Sequence, residues 1–146
     1  ADAATAAAAL PATGVGTSFW VAKTLISSNI LVAGVDVTGA SSGGVLAIKQ
    51  VVILAGTTGL ATGTNLKLVT NNVNGAALFM QEAVANLSAN KTATLDDASV
   101  TKQHTMLESG KKVTAQSTAL DCDGAGTIDI YIQFERLAAG ATVAAA

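Results

Sequence analysis

The stretch TIDIYIQFERL, Thr127–Leu137, decides the fold class of this 146-residue chain. Its residues Ile128, Ile130, Ile132 and Phe134 are apolar, whereas the residues between them are polar or amphipathic. Successive side chains of a β-strand point to opposite faces, so this alternation predicts a strand with one face against a core.

Similar strand-sized runs occupy the chain between its two ends, and Gly, Asn, Ser and Asp separate them. Besides Thr127–Leu137, the predicted strands are Phe19–Ile26, Ile30–Thr38, Val45–Ala55, Asn65–Asn71, Thr92–Leu95, Val100–Leu107 and Lys112–Ala119. The segment Ala76–Leu87 is ambiguous. Part of it has helical spacing, but Leu78 and Phe79 break the apolar stripe, so we favour extended structure. This succession of short strands predicts an all-β, single-domain β-sandwich of the jelly-roll type.

The run Val45–Ala55 differs from Thr127–Leu137 because it has apolar residues on both faces, interrupted only by Lys49 and Gln50. A strand that is covered on both sides has this composition. In a sandwich, the opposite sheet covers one side. We expect a neighbouring subunit to cover the other.

Both ends of the chain are rich in alanine. The segment ADAATAAAALPA, Ala1–Ala12, favours helix by composition, but an isolated helix shorter than about 12–15 residues is marginal in water. We therefore predict a flexible N-terminal arm over residues 1–18, a sandwich domain over 19–137 and a flexible C-terminal tail over 138–146.

The composition favours self-association. Hydrophobic residues make up 50% of the chain and charged residues 12%, about half of the usual charged share of ~25%. A single copy would therefore have few charged groups with which to cover its surface. Extensive contacts between subunits would bury such neutral surface, which predicts a homo-oligomer.

The charge pattern argues against two classes of partner. The net charge is −2, the sequence pI is about 5.1, and no basic run is present, so we expect no nucleic-acid binding. The longest apolar runs are shorter than the ~20 residues of a membrane-spanning helix, so we expect no membrane partner. A single cysteine, Cys122, permits no intrachain disulfide and favours assembly in a reducing cytoplasm.

Catalytic and metal-binding patterns are equally sparse. His104 is the only histidine, and no G-x-S-x-G segment provides a nucleophile elbow. One histidine and one cysteine do not make a zinc site. The sequence therefore predicts a protein that is not an enzyme and that has no catalytic residues, no metal site and no cofactor.

The loop DCDGAGTID, Asp121–Asp129, imitates the start of a calcium-binding EF-hand loop, with Asp121 and Asp123 at its first and third positions. Two ligands are missing, because Ala125 replaces the oxygen donor at the fifth position and Ile132 replaces the bidentate carboxylate at the twelfth. No helix pattern flanks the loop. We interpret it as a hairpin loop.

Three segments carry a family resemblance: Gly43–Asn72, His104–Thr118 and Gly124–Leu137. They resemble small virion proteins of tailed bacteriophages, the head decoration or cement proteins of jelly-roll type. The likeness is one of pattern and covers most of residues 19–137, without a catalytic motif. It implies no individual binding residues.

The resemblance implies trimers on the capsid exterior, at local threefold or quasi-threefold positions, where they clamp adjacent shell subunits. The implied partner is the major capsid protein, and the implied place of synthesis is the host cytoplasm. The arm Ala1–Ala12 is the segment that we expect to contact the capsid, since such an arm can order on binding.

Two other functions fit an all-β chain of this composition. One is a tail, fibre or surface-layer component, and the other is a carbohydrate-binding β-sandwich module. A sugar-binding module needs exposed aromatic side chains, and Trp20 and Tyr131 are the conceivable platforms. We expect both instead to fill the edge of the sandwich or a subunit contact.

Overall fold

The structure, a computed structural model, describes residues 12–98 and 101–146. The regular secondary structure of these residues consists of β-strands, with short 3₁₀ turns at Ser27–Asn29 and Val84–Leu87. The strands are β1 (Ser18–Ile26), β2 (Val35–Asp36), β3 (Leu46–Ala55), β4 (Ala61–Thr62), β5 (Asn65–Thr70), β6 (Leu78–Ala83), β7 (Thr92–Thr94), β8 (Thr101–Lys102), β9 (Thr105–Leu107), β10 (Val113–Ser117), β11 (Cys122–Asp123) and β12 (Thr127–Arg136). Among the described residues, no helix is long and apolar enough to cross a membrane.

Two antiparallel sheets form the body of the protein. The first sheet has the order β1-β12-β3-β7, with β9 also paired to β3, and the second has the order β2-β10-β5-β6-β8. Apart from the consecutive strands β5 and β6, most paired strands are distant in sequence, as in a jelly roll. The inner faces of both sheets contribute to one hydrophobic core. The predicted all-β sandwich is confirmed.

Strand β12 lies at the centre of the first sheet, between β1 and β3. Its residues Ile128, Ile130, Ile132 and Phe134 are each 0% exposed, and the residues between them lie on the outer side of the sheet. Burial of four large apolar side chains on one strand contributes about 1.5–3 kcal/mol for each. The alternation in the sequence therefore identifies the strand on which the core is organised.

A β-bulge explains why the sequence of strand β3 has apolar residues on both faces. Gln133 pairs with Gln50 and Phe134 pairs with Ile48, so Lys49 is an extra residue that changes which face the strand presents. Leu46 and Ile48 face the core before the bulge, and Val51 and Ile53 face it afterwards. Val52 and Leu54 consequently lie on the outer side of the sheet, where no described residue covers them as the opposite sheet covers the core.

The predicted strand Ile30–Thr38 is wrong over most of its length, because only Val35–Asp36 (β2) forms a strand and Thr38 makes an isolated bridge. A turn occupies the first part, in which the Gly34 N–H donates to the Leu31 carbonyl at 3.0 Å. Gly34 has φ of +100°, a conformation that favours glycine, and a Cβ there would lie 2.8 Å from Cγ2 of Thr114. The apolar run is thus a loop whose glycine allows close approach to β10.

The predicted strand Val100–Leu107 divides into two short strands in different sheets. β8 pairs with β6 in the second sheet, whereas β9 pairs with β3 in the first. The chain crosses between the sheets at Gln103 and His104, and the Gln103 N–H donates to the Phe79 carbonyl at 2.7 Å. The prediction of a single strand over Val100–Leu107 is therefore wrong. Val100 lies outside the described residues.

The ambiguous segment Ala76–Leu87 is extended over β6 and then forms the 3₁₀ turn Val84–Leu87. Leu68 pairs with Met80 and Val69 pairs with Leu78, which leaves Phe79 as a bulge residue. Phe79 and Met80 are both buried as a result. This bulge accounts for the adjacent apolar residues that made the sequence pattern ambiguous.

The segment predicted to be a flexible tail, residues 138–146, packs onto the sandwich in the structure. Bridges pair Thr38 with Ala145 and Ser42 with Thr142, and Val143 is 6% exposed. Gly43 and Gly44 make room for this segment, because a Cβ at Gly44 would lie 2.4 Å from the Cβ of Ala138. Small residues on both sides allow a close backbone approach that composition alone does not reveal.

Part of the predicted arm, residues 1–11, lies outside the described residues. The segment that follows continues the ladder between β1 and β12: the Gly16 N–H donates to the Arg136 carbonyl and the Gly140 N–H donates to the Thr13 carbonyl, each at 2.8 Å. Residues 13–17 therefore run beside residues 136–140 and belong to the folded body.

Candidate interaction surface

The side chains considered for catalysis do not come together. His104 is exposed, and its Nε2 lies 3.4 Å from Oδ1 of Asp96. Cys122 is buried, with its Sγ 3.5 Å from the Ser117 hydroxyl. Within residues 12–98 and 101–146, no cluster of three or more His, Cys, Asp or Glu side chains could hold a metal ion.

The loop that imitates a calcium site directs its carboxylates to different segments. Oδ1 of Asp121 accepts a hydrogen bond from the Val32 N–H at 2.7 Å. Oδ1 of Asp129 accepts one from the Thr24 hydroxyl, on the outer side of the first sheet. The short strand β11 separates the two, so the carboxylates do not converge on one point.

A polar pocket of about 430 Å³ lies beside β7 and is lined by residues that include Glu82 and Asp97. Several of its polar groups bond to one another or to nearby backbone. Asn86 Nδ2 donates to Glu82 Oε1 at 2.8 Å, Lys91 Nζ donates to the Ala85 carbonyl at 3.0 Å, and the Thr94 hydroxyl donates to Asp97 at 3.0 Å. This internal bonding holds the wall of the pocket together.

The outer side of the first sheet carries a different surface. Five outward residues on β1, β3 and β12 define what we call the Trp20 face. Its members are Trp20, Ala22, Val52, Leu54 and Tyr131. Trp20 is 51% exposed and Leu54 is 37% exposed, although both are large apolar side chains.

The strand register brings the members of the Trp20 face together. Tyr131 lies between Ala22 on one side and Val52 on the other, as direct cross-strand partners. Opposite residues in antiparallel strands have Cβ atoms about 4.5–5.5 Å apart, so these side chains form a continuous row. Trp20 lies two residues before Ala22 on β1, and Leu54 lies two residues after Val52 on β3. The two side chains therefore extend the row at its opposite ends.

Few charges interrupt this surface. Asp129 borders it and accepts a hydrogen bond from Thr24. At one end, Lys49 Nζ lies 3.6 Å from Oε2 of Glu135, and both side chains are partly exposed. Covering the Trp20 face would therefore require little removal of water from charged groups, a property of the centre of protein interfaces.

The outer side of the second sheet is polar by comparison. One cross-strand row consists of Gln116, Lys67, Gln81 and Thr101 in neighbouring strands. Lys112, directly before β10, adds an ion pair with Asp36 at 2.9 Å. The two outer faces of one sandwich thus differ clearly in chemistry.

The structure also shows a buried cation that the sequence analysis did not identify. Arg136, 8% exposed, lies with its guanidinium 4.4 Å from the ring centre of Phe19 and donates to the Thr17 hydroxyl at 3.1 Å. Phe19 in turn stacks on Phe134 with ring centres 5.7 Å apart. The position of Arg136 two residues after Phe134, on the core side of the alternation, is the sequence signal that could have revealed it.

Comparison with known proteins supports the fold. No protein-family model matches the sequence, and no curated protein matches it either. A chain of the acidic stable capsid structure of Helicobacter pylori bacteriophage KHP30 is similar in structure, with a TM-score of 0.56 and 12% identity over 88% of this chain and 95% of that chain. At this identity the likeness shows a shared fold.

A second similarity is too weak to support an argument. It is to a chain of the structure of infectious bursal disease virus Gx strain, with a TM-score of 0.23 and 14% identity over 86% of this chain and 40% of that chain.

Proposed function

We propose that this chain is a structural protein of a bacteriophage particle, which decorates the capsid exterior and stabilises the shell by binding neighbouring shell subunits. The observation that carries the proposal is the shared fold with a chain of a bacteriophage capsid over 88% of the present chain. The jelly-roll strand order and the scarcity of charge support it.

The Trp20 face is the proposed contact with the shell. Interface centres are enriched in aromatic residues and depleted of charges, as this face is. Trp20 is the expected centre of binding energy, because a tryptophan that becomes buried in a complex is a frequent hot spot. The major capsid protein is the proposed partner.

Stabilisation of a shell requires no chemical step. A protein that binds only the assembled shell shifts the equilibrium toward that shell by mass action. Repeated copies on a closed surface add their contributions. Attachment through several subunits of one oligomer also slows release, because the second contact is intramolecular once the first has formed.

Self-association belongs to the same proposal. We retain a homotrimer as the expected form on the shell, and the N-terminal segment Ala1–Ala12 as a further contact with the capsid. Deletion of residues 1–12 should leave the oligomer folded and weaken its attachment, as measured by co-sedimentation with capsids.

The main test uses capsids prepared without this protein. Wild-type chain should co-sediment with them and raise their disruption temperature. Trp20→Ala should weaken binding about 30-fold or more, since a hot-spot truncation costs about 2–4 kcal/mol. Gln116→Ala, on the polar outer face, is the matched control and should bind as wild type. A wild-type protein that neither sediments with capsids nor protects them from heat would contradict the proposal.

A carbohydrate-binding function is the second candidate, and the exposure of Trp20 beside Tyr131 and Gln133 favours it. An aromatic ring on an open sheet face can stack on a sugar ring. A glycan array separates the candidates, since specific binding that Trp20→Ala abolishes would favour this function. A tail or fibre location would instead appear as labelling outside the head in electron microscopy of particles.

A further inference from the structure

Within the part of the chain that the structure describes, strand β1 lies at one edge of the first sheet and pairs only with β12. Two backbone bonds fix the phase of this pairing: the Arg136 N–H donates to the Thr17 carbonyl at 2.8 Å, and the Ser27 N–H donates to the Gly126 carbonyl at 2.7 Å. Bonded and non-bonded pairs alternate along an antiparallel ladder. Odd-numbered residues of β1 therefore bond to β12, and even-numbered residues direct their N–H and C=O groups away from the sheet.

The outward backbone groups belong to Ser18, Trp20, Ala22, Thr24 and Ile26. No hydrogen bond among residues 12–98 and 101–146 uses them. The register to β12 runs without a shift along the whole strand, which contains no proline. A long regular edge of unpaired N–H and C=O groups is a template for one more strand.

We propose that this edge pairs antiparallel with the β1 edge of a second copy, about a two-fold axis at Ala22. The inference rests on the self-association proposed above and names the contact. Centring on Ala22 sets Trp20 opposite Thr24 of the second copy and Ser18 opposite Ile26 of the second copy. All outward groups are then used, which gives about ten backbone hydrogen bonds, two for each bonded pair.

The side chains favour this axis. The five outward residues carry no charge, and the small residue Ala22 lies on the two-fold axis, where it faces its own counterpart. Lys23 points to the inner side, and its Nζ donates to the Ala146 carbonyl at 2.6 Å. A register centred on Lys23 would place two like charges opposite each other, whereas centring on Ala22 places Lys23 opposite Val21.

The register favours a second copy as the added strand, because it matches this uncharged edge to itself. The Thr13 carbonyl accepts from the Gly140 N–H, so residues 13–17 run beside the end of β12 and do not cover the outward side of β1. Pairing of two β1 strands also joins the two Trp20 faces into one broader surface. On a shell that carries trimers, the two-fold contact would lie between neighbouring trimers.

Disulfide cross-linking in a Cys122→Ser background tests the contact and its register. Ala22→Cys should form a covalent dimer on mild oxidation, because bonded antiparallel partners have Cα atoms about 5.5 Å apart, within disulfide range. Trp20→Cys alone and Thr24→Cys alone should not cross-link, since each lies roughly 14 Å from its own counterpart. A mixture of these two variants should cross-link.

The substitution Ala22→Pro should weaken the proposed contact between two β1 edges without disrupting the fold. Proline removes only an outward N–H at this position, so the ladder to β12 persists, and the fold should survive as judged by circular dichroism. Cross-linking of the Trp20→Cys and Thr24→Cys mixture should fall at least tenfold when both chains carry Ala22→Pro. Unchanged cross-linking would contradict the proposed edge pairing.

Deletion of residues 1–11 distinguishes two possible partners of the β1 edge, a second copy and the N-terminal segment. Cross-linking that is the same in full and truncated chains supports the second copy. Cross-linking that appears only after deletion would overturn the proposal, because the N-terminal segment would then occupy the edge. An oligomer by light scattering without an Ala22→Cys dimer would overturn this contact alone, whereas a monomer would overturn self-association too. Binding to capsids is measured separately.

Discussion

The two outer faces of the sandwich have the same backbone architecture but opposite surface chemistry. The first sheet presents Trp20, Tyr131, Val52 and Leu54, whereas the second presents a row in which Lys67 lies between two glutamines. Solvation of a monomer requires only the polar kind of face. This difference is the reason for placing the proposed contact on the first sheet.

The largest expected effect is a difference in stability between a charge on the core side of β3 and a charge on its outer side. Val51 is 0% exposed and faces the core, while the neighbouring Val52 faces outward. Val51→Asp should destabilise the fold by more than about 4 kcal/mol, because it buries an unpaired charge. Val52→Asp should destabilise the isolated chain by less than about 1 kcal/mol. Urea denaturation of both variants measures this, and equal losses would contradict the bulge at Lys49.

The next effect compares the two outer faces through matched valines. Val52 on the first sheet and Val69 on the second are both half-buried, outward residues in central strands. Val52→Asp should weaken binding to capsids by about 30- to 150-fold, since it places a charge at the centre of an interface and costs about 2–3 kcal/mol. Val69→Asp should leave binding unchanged in the same co-sedimentation titration. The reverse ranking would assign the contact to the second sheet.

The salt dependence of capsid binding also distinguishes the two outer faces, with a smaller expected effect than the valine substitutions. Because the Trp20 face carries little charge, affinity for capsids should change by less than about threefold between low and high salt. A contact made through Lys67 and Lys112 would instead weaken steeply as salt rises. Sedimentation binding curves at several sodium chloride concentrations distinguish the two faces without any substitution.

The smallest effect concerns the ion pair at the end of the Trp20 face. Glu135→Gln should alter stability by less than about 1 kcal/mol, because the pair with Lys49 is partly exposed and 3.6 Å long. Thermal unfolding measures this change. A loss of several kcal/mol would mean that the charge at this end of the face, and not its apolar centre, is the important feature.

The sequence predicts the fold well where alternation is regular and poorly where bulges and close approaches intervene. Thr127–Leu137 shows its strand directly, because every second side chain is apolar. In β3 the bulge at Lys49 moves the core positions from even to odd residues, so the same apolar run resembles a strand covered on both sides. The periodicity of the sequence alone does not reveal a bulge of this kind.

Long-range contacts limit the prediction in a second way. The C-terminal residues 138–146 resemble a tail by composition, yet they pack beside Gly43 and Gly44 because neither glycine has a Cβ to exclude them. The interaction face depends on the same kind of information. Trp20 and Tyr131 are visible in the sequence, but their approach to Val52 and Leu54 follows only from the order β1-β12-β3.

Cryo-electron microscopy of capsids incubated with the purified protein would show the proposed contact itself. We expect sandwich-shaped density on the outer surface of the shell, with the Trp20 face turned toward shell subunits and the row that contains Lys67 turned toward solvent. Capsids that carry no additional density, or density in which the Trp20 face is fully exposed, would contradict this expectation.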